Sequence, residues 1–147
     1  MSSAEPKNKG AVKGGNGKYI FNLPTLQRMD AGVGYSSAEG PVVEGERIQV
    51  GLISMKSGTG ARPHTHPNEQ WIYLLQGKAR MSVDGQPETI GGAGTLIYLP
   101  ANIVHYIQAL PGEDVVFFTC KDMSHGIMGK AVDGTMAGPH IDQGIVK

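Results

Sequence analysis

Glycine and proline divide this chain into short apolar segments, and that punctuation restricts it to folds built from short elements. The sequence has 22 glycines and 9 prolines in 147 residues, without the three-residue glycine period of collagen. Apolar runs stop at Gly77, at Pro100 and at Pro111 followed by Gly112. No segment keeps a capped helical period, so any helix is expected only in 26–32 or in the tail. The pattern is typical of a β-rich domain with many turns.

The apolar runs have the length and spacing of antiparallel strands. Residues 47–55 alternate between two faces, and 114–120 are almost wholly apolar, as expected for a strand buried on both sides. Asp84 followed by Gly85 is a strong hairpin signal. We therefore predict an all-β sandwich or barrel over 18–120, with a flexible arm at 1–17 and a polar tail at 121–147 that is a candidate flap. The predicted strands are 47–55, 69–76, 78–83, 88–90, 95–99, 104–109 and 114–120.

Charge and cysteine content exclude several classes of function. Thirteen basic residues balance thirteen acidic ones, which argues against a nucleic-acid binder with a broad basic field and against an anionic-lipid binder. No apolar run is long enough to span a membrane, and the first residues lack the apolar region of a secretory signal. The single cysteine, Cys120, cannot form an internal disulfide. We expect a cytoplasmic protein that binds neither nucleic acid nor membrane.

A pair of histidines carries the most specific chemical signal. His64 and His66 are two residues apart, so on a strand both imidazoles point to one face, where neutral imidazole is the commonest ligand for first-row metals. The same period of two turns Gln70 inward and Glu69 outward. Pro63 and Pro67 flank the pair and stiffen the backbone.

Two further observations extend this picture. His105 begins a strand just after a turn in which Asn102 suits a left-handed backbone conformation, and that turn can bring His105 against the histidine pair. On the opposite face of 69–76, Trp71, Tyr73 and Leu75 form an apolar row that a second sheet or another subunit must cover. We expect a homodimer.

These residues resemble the two signature motifs of the cupin superfamily. The first motif is matched except that Gln70 replaces a glutamate, and the second departs from the pattern at Asn102 and Ala109. The matched positions are Gly58, His64, His66, Gln70 and Gly77, and then Gly94, Pro100 and His105. The resemblance implies a double-stranded β-helix, or jelly-roll, barrel around one divalent metal. It assigns His64, His66 and His105 as ligands, with Gln70 in the fourth position and the metal open among iron, manganese, nickel, zinc, cobalt and copper.

The glutamine sets the leading functional hypothesis. A neutral amide leaves the full charge of a divalent ion on the site, which favours Lewis-acid activation of a small oxygenated substrate in isomerase, cyclase or lyase chemistry. An iron-dependent dioxygenase and a non-enzymatic small-molecule-binding barrel are the alternatives. Glu69 and His125 are weak candidates for proton transfer. Arg62 and Tyr98 are weak candidates for lining the substrate pocket, with a surface role for Arg62 and a core role for Tyr98 as alternatives.

Overall fold

The computed structural model describes residues 5–144 and is almost entirely β-structure. The prediction of an all-β chain is confirmed, and the one helical element among these residues is a 3-10 turn at Leu23–Thr25. In chain order the strands are β1 (Val12–Lys13), β2 (Met29–Asp30), β3 (Glu39–Gly40), β4 (Val42–Glu44), β5 (Ile48–Met55), β6 (Thr59–Gly60), β7 (His64–Thr65), β8 (Gln70–Gln76), β9 (Ala79–Val83), β10 (Thr89–Gly91), β11 (Leu96–Leu99), β12 (His105–Ala109), β13 (Val115–Asp122), β14 (Lys130–Ala131) and β15 (His140–Ile141).

The strands form two sheets. The first has the order β1-β4-β5-β13-β8-β11, and β3 joins it by pairing with β5 and β2. The second has the order β10-β9-β12-β6-β15, and β7 joins it by pairing with β12 and β14. Apolar side chains such as Ile53, Leu74, Ile107 and Phe117 are buried in one core cluster to which both sheets contribute. The alternation seen in the sequence supplies these side chains, because every second residue of a strand faces the same way.

Two tight turns follow the backbone conformations that the sequence predicts. Asp84 and Gly85 both have positive φ, 56° and 71°, as a two-residue turn with the twist of its flanking strands requires. They connect β9 to β10, which pair antiparallel. Asn102 has φ of 64°, and its backbone N–H donates to the carbonyl of His66 at 2.8 Å. The turn before β12 is therefore tied directly to the histidine segment.

Part of the predicted N-terminal arm contacts the first sheet. The carboxylate of Glu44, itself buried, accepts hydrogen bonds from the backbone N–H groups of Lys7 and Asn8 at 2.6 and 2.7 Å. Asn8 is also buried, and β1 then runs parallel to β4. A buried carboxylate needs such donors, so residues 7–13 are bound to the first sheet through a contact that lies more than 30 residues away in the chain.

The C-terminal segment also packs onto the second sheet. Strand β13 continues to Asp122, two residues beyond its predicted end. Farther on, β14 pairs with β7 and β15 pairs with β6. Within residues 5–144 there is no helix of the length and apolar character needed to cross a membrane.

Candidate metal centre

Three imidazoles converge between the sheets. His64 on β7 lies directly opposite His105 on β12, and His66 follows two residues later on the same face. The ring centres of His105 lie 4.3 Å from His64 and 4.7 Å from His66. One nitrogen from each of the three rings lies within 4.8 Å of the others, and all three residues are buried. The turn at Asn102 creates this meeting by returning the chain to the histidine pair.

Backbone carbonyls fix which nitrogen of each ring is available. The Nδ1 atoms of His64, His66 and His105 lie 2.8, 3.0 and 2.9 Å from the carbonyls of Arg62, Asn68 and Ile103. Because a carbonyl oxygen only accepts, each neutral ring must carry its proton on Nδ1. The lone pair is then on Nε2 in all three rings. Carbonyl bonds of this kind orient the histidine ligands of metal sites.

Burial keeps the three rings neutral. It lowers the pKa of His64 to about 2, with the neighbouring His105 as the next cause. It lowers the pKa of His66 to about 3, with the charge of Lys121 second. Burial is again the main cause for His105, whose pKa is about 4. Protons therefore do not compete for the Nε2 lone pairs near neutral pH.

Gln70 presents a fixed amide to the same space. Its side chain is buried, and its Nε2 donates to Thr119 Oγ1 at 2.8 Å. The Thr119 hydroxyl in turn donates to the carbonyl of Trp71 at 2.9 Å, so it accepts from Gln70. Since the amide nitrogen is engaged, the oxygen is the atom that Gln70 can offer to a ligand. The inward direction predicted for Gln70 is confirmed by its burial.

The space beside these groups is a small and mainly apolar cavity of about 50 Å³. A cavity of this size has room for more than one water-sized group. Tyr35 packs against His64 with ring centres 4.4 Å apart and ring planes inclined by 36°, and its hydroxyl accepts from the backbone N–H of Gly129 at 2.7 Å. Ile127 closes another part of the wall. The cavity is therefore shielded from solvent by one residue that precedes the two histidine motifs and one that follows them.

Lys121 is the charged residue of this wall. It is 4% exposed and lines the cavity together with His64, Gln70 and His105. Its Nζ donates to the carbonyl of Ile127. Burial lowers the pKa of Lys121 to about 7, with the nearby Asp122 opposing the shift.

Comparison with known proteins identifies the domain. Residues 51–120 match the cupin domain family. The chain contains a cupin domain. It is 31% identical over 117 residues to the oxalate decarboxylase OxdC of Bacillus subtilis strain 168, an alignment that covers 72% of this chain and 30% of that protein. The chain thus spans less than a third of the curated relative that it matches.

Solved structures agree with the cupin domain at the level of the fold. The cupin domain of Cnp3 from Schizosaccharomyces pombe superposes with a TM-score of 0.57 at 17% identity, covering 70% of this chain and 72% of that one. The DMSP lyase DddQ from Ruegeria pomeroyi superposes with a TM-score of 0.56 at 18% identity, covering 65% and 47%. The predicted jelly-roll fold is confirmed.

The donor set of this cupin domain fits a metal ion. His66 Nε2 is buried and has no hydrogen-bond partner within residues 5–144. A lone pair left in that position costs free energy unless something binds to it. Three neutral nitrogen donors aimed at one point, with an amide oxygen beside them, are ligands that first-row divalent metals accept. The three histidines are therefore in a metal-binding arrangement.

Four weaker candidates lie elsewhere in the structure. Glu69 is exposed and accepts a hydrogen bond from the hydroxyl of Tyr98, so this pair lies on the outer face of the first sheet and not in the cavity. Arg62 extends away from the cavity because its guanidinium is held by Asp133, Thr135 and the carbonyls of Gly34 and Gly138. His125 is exposed and absent from the cavity wall. Arg62 and Tyr98 therefore do not line this cavity.

Several residues of the site have little signal in the sequence. Tyr35 and Ile127 reach the cavity from segments far from both motifs. Asn68 is buried, and its Nδ2 donates to the carbonyls of Asp122 and His125, both at 2.9 Å. Lys121 had a usable signal, since continuing the alternation of β13 past Thr119 turns it inward.

Proposed function

We propose that this protein is a metal-dependent cupin enzyme that acts on a small oxygenated organic molecule by redox-neutral lyase or isomerase chemistry. The observation that carries the proposal is that three buried imidazoles, each oriented by a backbone carbonyl, bring one nitrogen each to within 4.8 Å of the others beside one small cavity. A structural core would not need three neutral imidazoles with their acceptor atoms turned toward one another.

His64, His66 and His105 would hold the ion, and the amide oxygen of Gln70 would occupy the fourth position. A divalent ion bound there supplies Lewis-acid polarisation of substrate oxygens. Imidazole and amide donors suit iron, manganese, nickel, zinc, cobalt and copper. Because no carboxylate joins this set, the ligands leave the charge of the ion unreduced.

The remaining residues of the cavity exclude water from the substrate and orient the metal ligands. The apolar side chains of Ile72, Ile107 and Ile127 limit the water that reaches the substrate. Tyr35 restricts the ring of His64 by packing against it, and Thr119 holds the amide of Gln70. Each ligand is thus fixed by a neighbour before substrate enters, which reduces the reorganisation needed during reaction.

The relative at 31% identity supports the lyase branch of the proposal. That relative is an oxalate decarboxylase, and the loss of carbon dioxide from a small organic acid is redox-neutral overall. A cavity of about 50 Å³ suits a substrate of comparable size. The cytoplasmic location expected from the sequence belongs to the same proposal.

The test combines metal analysis with turnover under two atmospheres. The full chain, purified without added metal, is analysed for bound elements and then assayed on small oxo, hydroxy and dicarboxylic acids with and without oxygen. We expect one ion per chain and equal product formation in both atmospheres. A Gln70→Ala variant that keeps its metal should lose most of its turnover, while Lys78→Met, at an exposed lysine outside the cavity, should keep it.

Other outcomes would replace the proposal. Oxygen consumption that matches product formation, with no product under nitrogen, would indicate a dioxygenase. A ligand-dependent rise in melting temperature without product for any of the six metals would indicate a binding barrel.

A further inference from the structure

Within residues 5–144, one buried cation beside the proposed metal centre has no acidic partner. Lys121 occupies an inward position of β13, in the same row as Val115, Phe117 and Thr119. Its ammonium group has three N–H donors, and one of them is donated to the carbonyl of Ile127. Among residues 5–144, no carboxylate lies within ion-pair distance of its Nζ.

An unpaired charge in this position is costly to the fold. Buried lysine is normally paired, since removing an ammonium group from water costs several kcal/mol. Asp122 follows directly in sequence, but its side chain alternates to the other face, where it accepts from the backbone N–H groups of Glu69 and Ser124. The carboxylate of Asp122 therefore does not pair with the ammonium group of Lys121.

The cross-strand partner of Lys121 is uncharged. Lys121 lies directly opposite Gln70 in the pairing of β13 with β8, and both line the cavity. A glutamate at position 70 would be within reach of an ion pair with Lys121 across the strands. With the amide there, the charge of Lys121 remains available, and its effect reaches all three imidazoles of the centre.

We propose that Lys121 binds a carboxylate group of the substrate, so that the cavity selects small organic anions over neutral molecules of the same shape. The inference rests on the proposed function, which it deepens by naming the substrate class. The two unused N–H groups of the ammonium donate to the carboxylate oxygens of the anion, and the substrate supplies the negative charge that the neighbouring residues do not. The small cavity, about 50 Å³, favours a small anion with a short carbon chain.

Binding of malonate and of its neutral diamide, malonamide, tests the assignment. Both are titrated calorimetrically into the zinc-loaded full chain, and metal content is checked before and after. The wild-type chain should bind malonate more tightly than malonamide. Lys121→Met should weaken malonate binding by about 10- to 100-fold, the range expected for a charge-assisted hydrogen bond, and leave malonamide binding unchanged. The matched control Lys78→Met, at an exposed lysine outside the cavity, should bind malonate as the wild type does.

A second variant keeps Lys121 in place. Gln70→Glu adds a carboxylate opposite the lysine and should also weaken malonate binding without weakening malonamide binding. If malonate affinity is unchanged in both variants at equal metal content, the assignment of Lys121 is overturned. A parallel titration of metal-free chain separates the two proposals. Lys121-dependent malonate binding without zinc uptake would sink the metal proposal alone, whereas zinc uptake with Lys121-independent malonate binding would sink this inference alone.

Discussion

Acidification should destabilise the metal-free protein through its three buried histidines. Their pKa values in the folded chain are about 2, 3 and 4 for His64, His66 and His105, whereas an unfolded histidine has a pKa near 6.5. At pH 5 the unfolded chain therefore holds close to three protons that the folded chain does not. Stability depends on pH in the direction of this difference. The stability that depends on the neutral histidines is fully present above pH 6.5 and is lost as the pH falls toward their pKa values in the folded chain.

The size of the loss follows from the width of that window. From pH 6.5 to pH 5, each histidine costs about 1.4 kcal/mol per pH unit, or about 2 kcal/mol in all. Three of them cost about 6 kcal/mol, which is comparable to the total stability of many domains. The lowered pKa values of Asp122, Asp133 and Asp142 act in a lower range, because their stabilisation is lost only as the pH falls through the unfolded value near 3.8.

Urea unfolding at pH 7, 6 and 5 in the presence of a chelator measures this loss. The wild-type chain should lose about 6 kcal/mol between pH 7 and pH 5, and His64→Gln, which removes one of the three titrating rings, about 4 kcal/mol. Equal free energies of unfolding at pH 7 and pH 5 would refute the reasoning. So would a His64→Gln variant whose pH dependence matches that of the wild type.

Three further predictions concern other parts of the molecule. Lys121→Met should stabilise the metal-free chain by about 3 kcal/mol at pH 7, because it removes a buried charge, and a higher urea midpoint would show this. Asn68→Ala should destabilise the chain by about 1–2 kcal/mol, because it removes the hydrogen bonds from Asn68 to the carbonyls of the 122–126 loop and leaves two of them with only the longer bonds from Gln49. A normal unfolding midpoint would contradict it. Trp71→Glu should convert the expected dimer to monomer in sedimentation velocity, since Trp71 is 43% exposed in an outward apolar row; a wild-type chain that is itself monomeric would dismiss the dimer.

Short-range patterns predicted much of the fold and part of the site. The period of two turned Gln70 inward and Glu69 outward, because alternation depends only on the strand and not on its partners. Asn102 and the Asp84-Gly85 pair adopt the left-handed conformations that their residue types favour. The ends of the seven predicted strands lie within two residues of those of β5 and β8–β13, whereas the other eight strands within residues 5–144, each of two or three residues, were not predicted.

Contacts between distant segments were not predictable from these patterns. Arg62 is next to the histidines in sequence, yet its guanidinium is held by residues more than 70 positions later. The N-terminal arm is polar, but a buried glutamate at position 44 binds it to the sheet. Neither partner is marked by local periodicity. The alternation of β13 would have predicted the inward position of Lys121, but the predicted strand ended at residue 120, one residue too early.

The most direct test of the account is the coordination state of the three imidazoles. The chain, labelled with nitrogen-15, is titrated with zinc while the histidine ring nitrogens are followed by long-range proton–nitrogen NMR. We expect zinc binding to saturate at one ion per chain. The Nε2 resonances of His64, His66 and His105 should shift together while their Nδ1 atoms stay protonated. Zinc that fails to bind, or that shifts His125 and His140 and leaves these three rings unchanged, would contradict it.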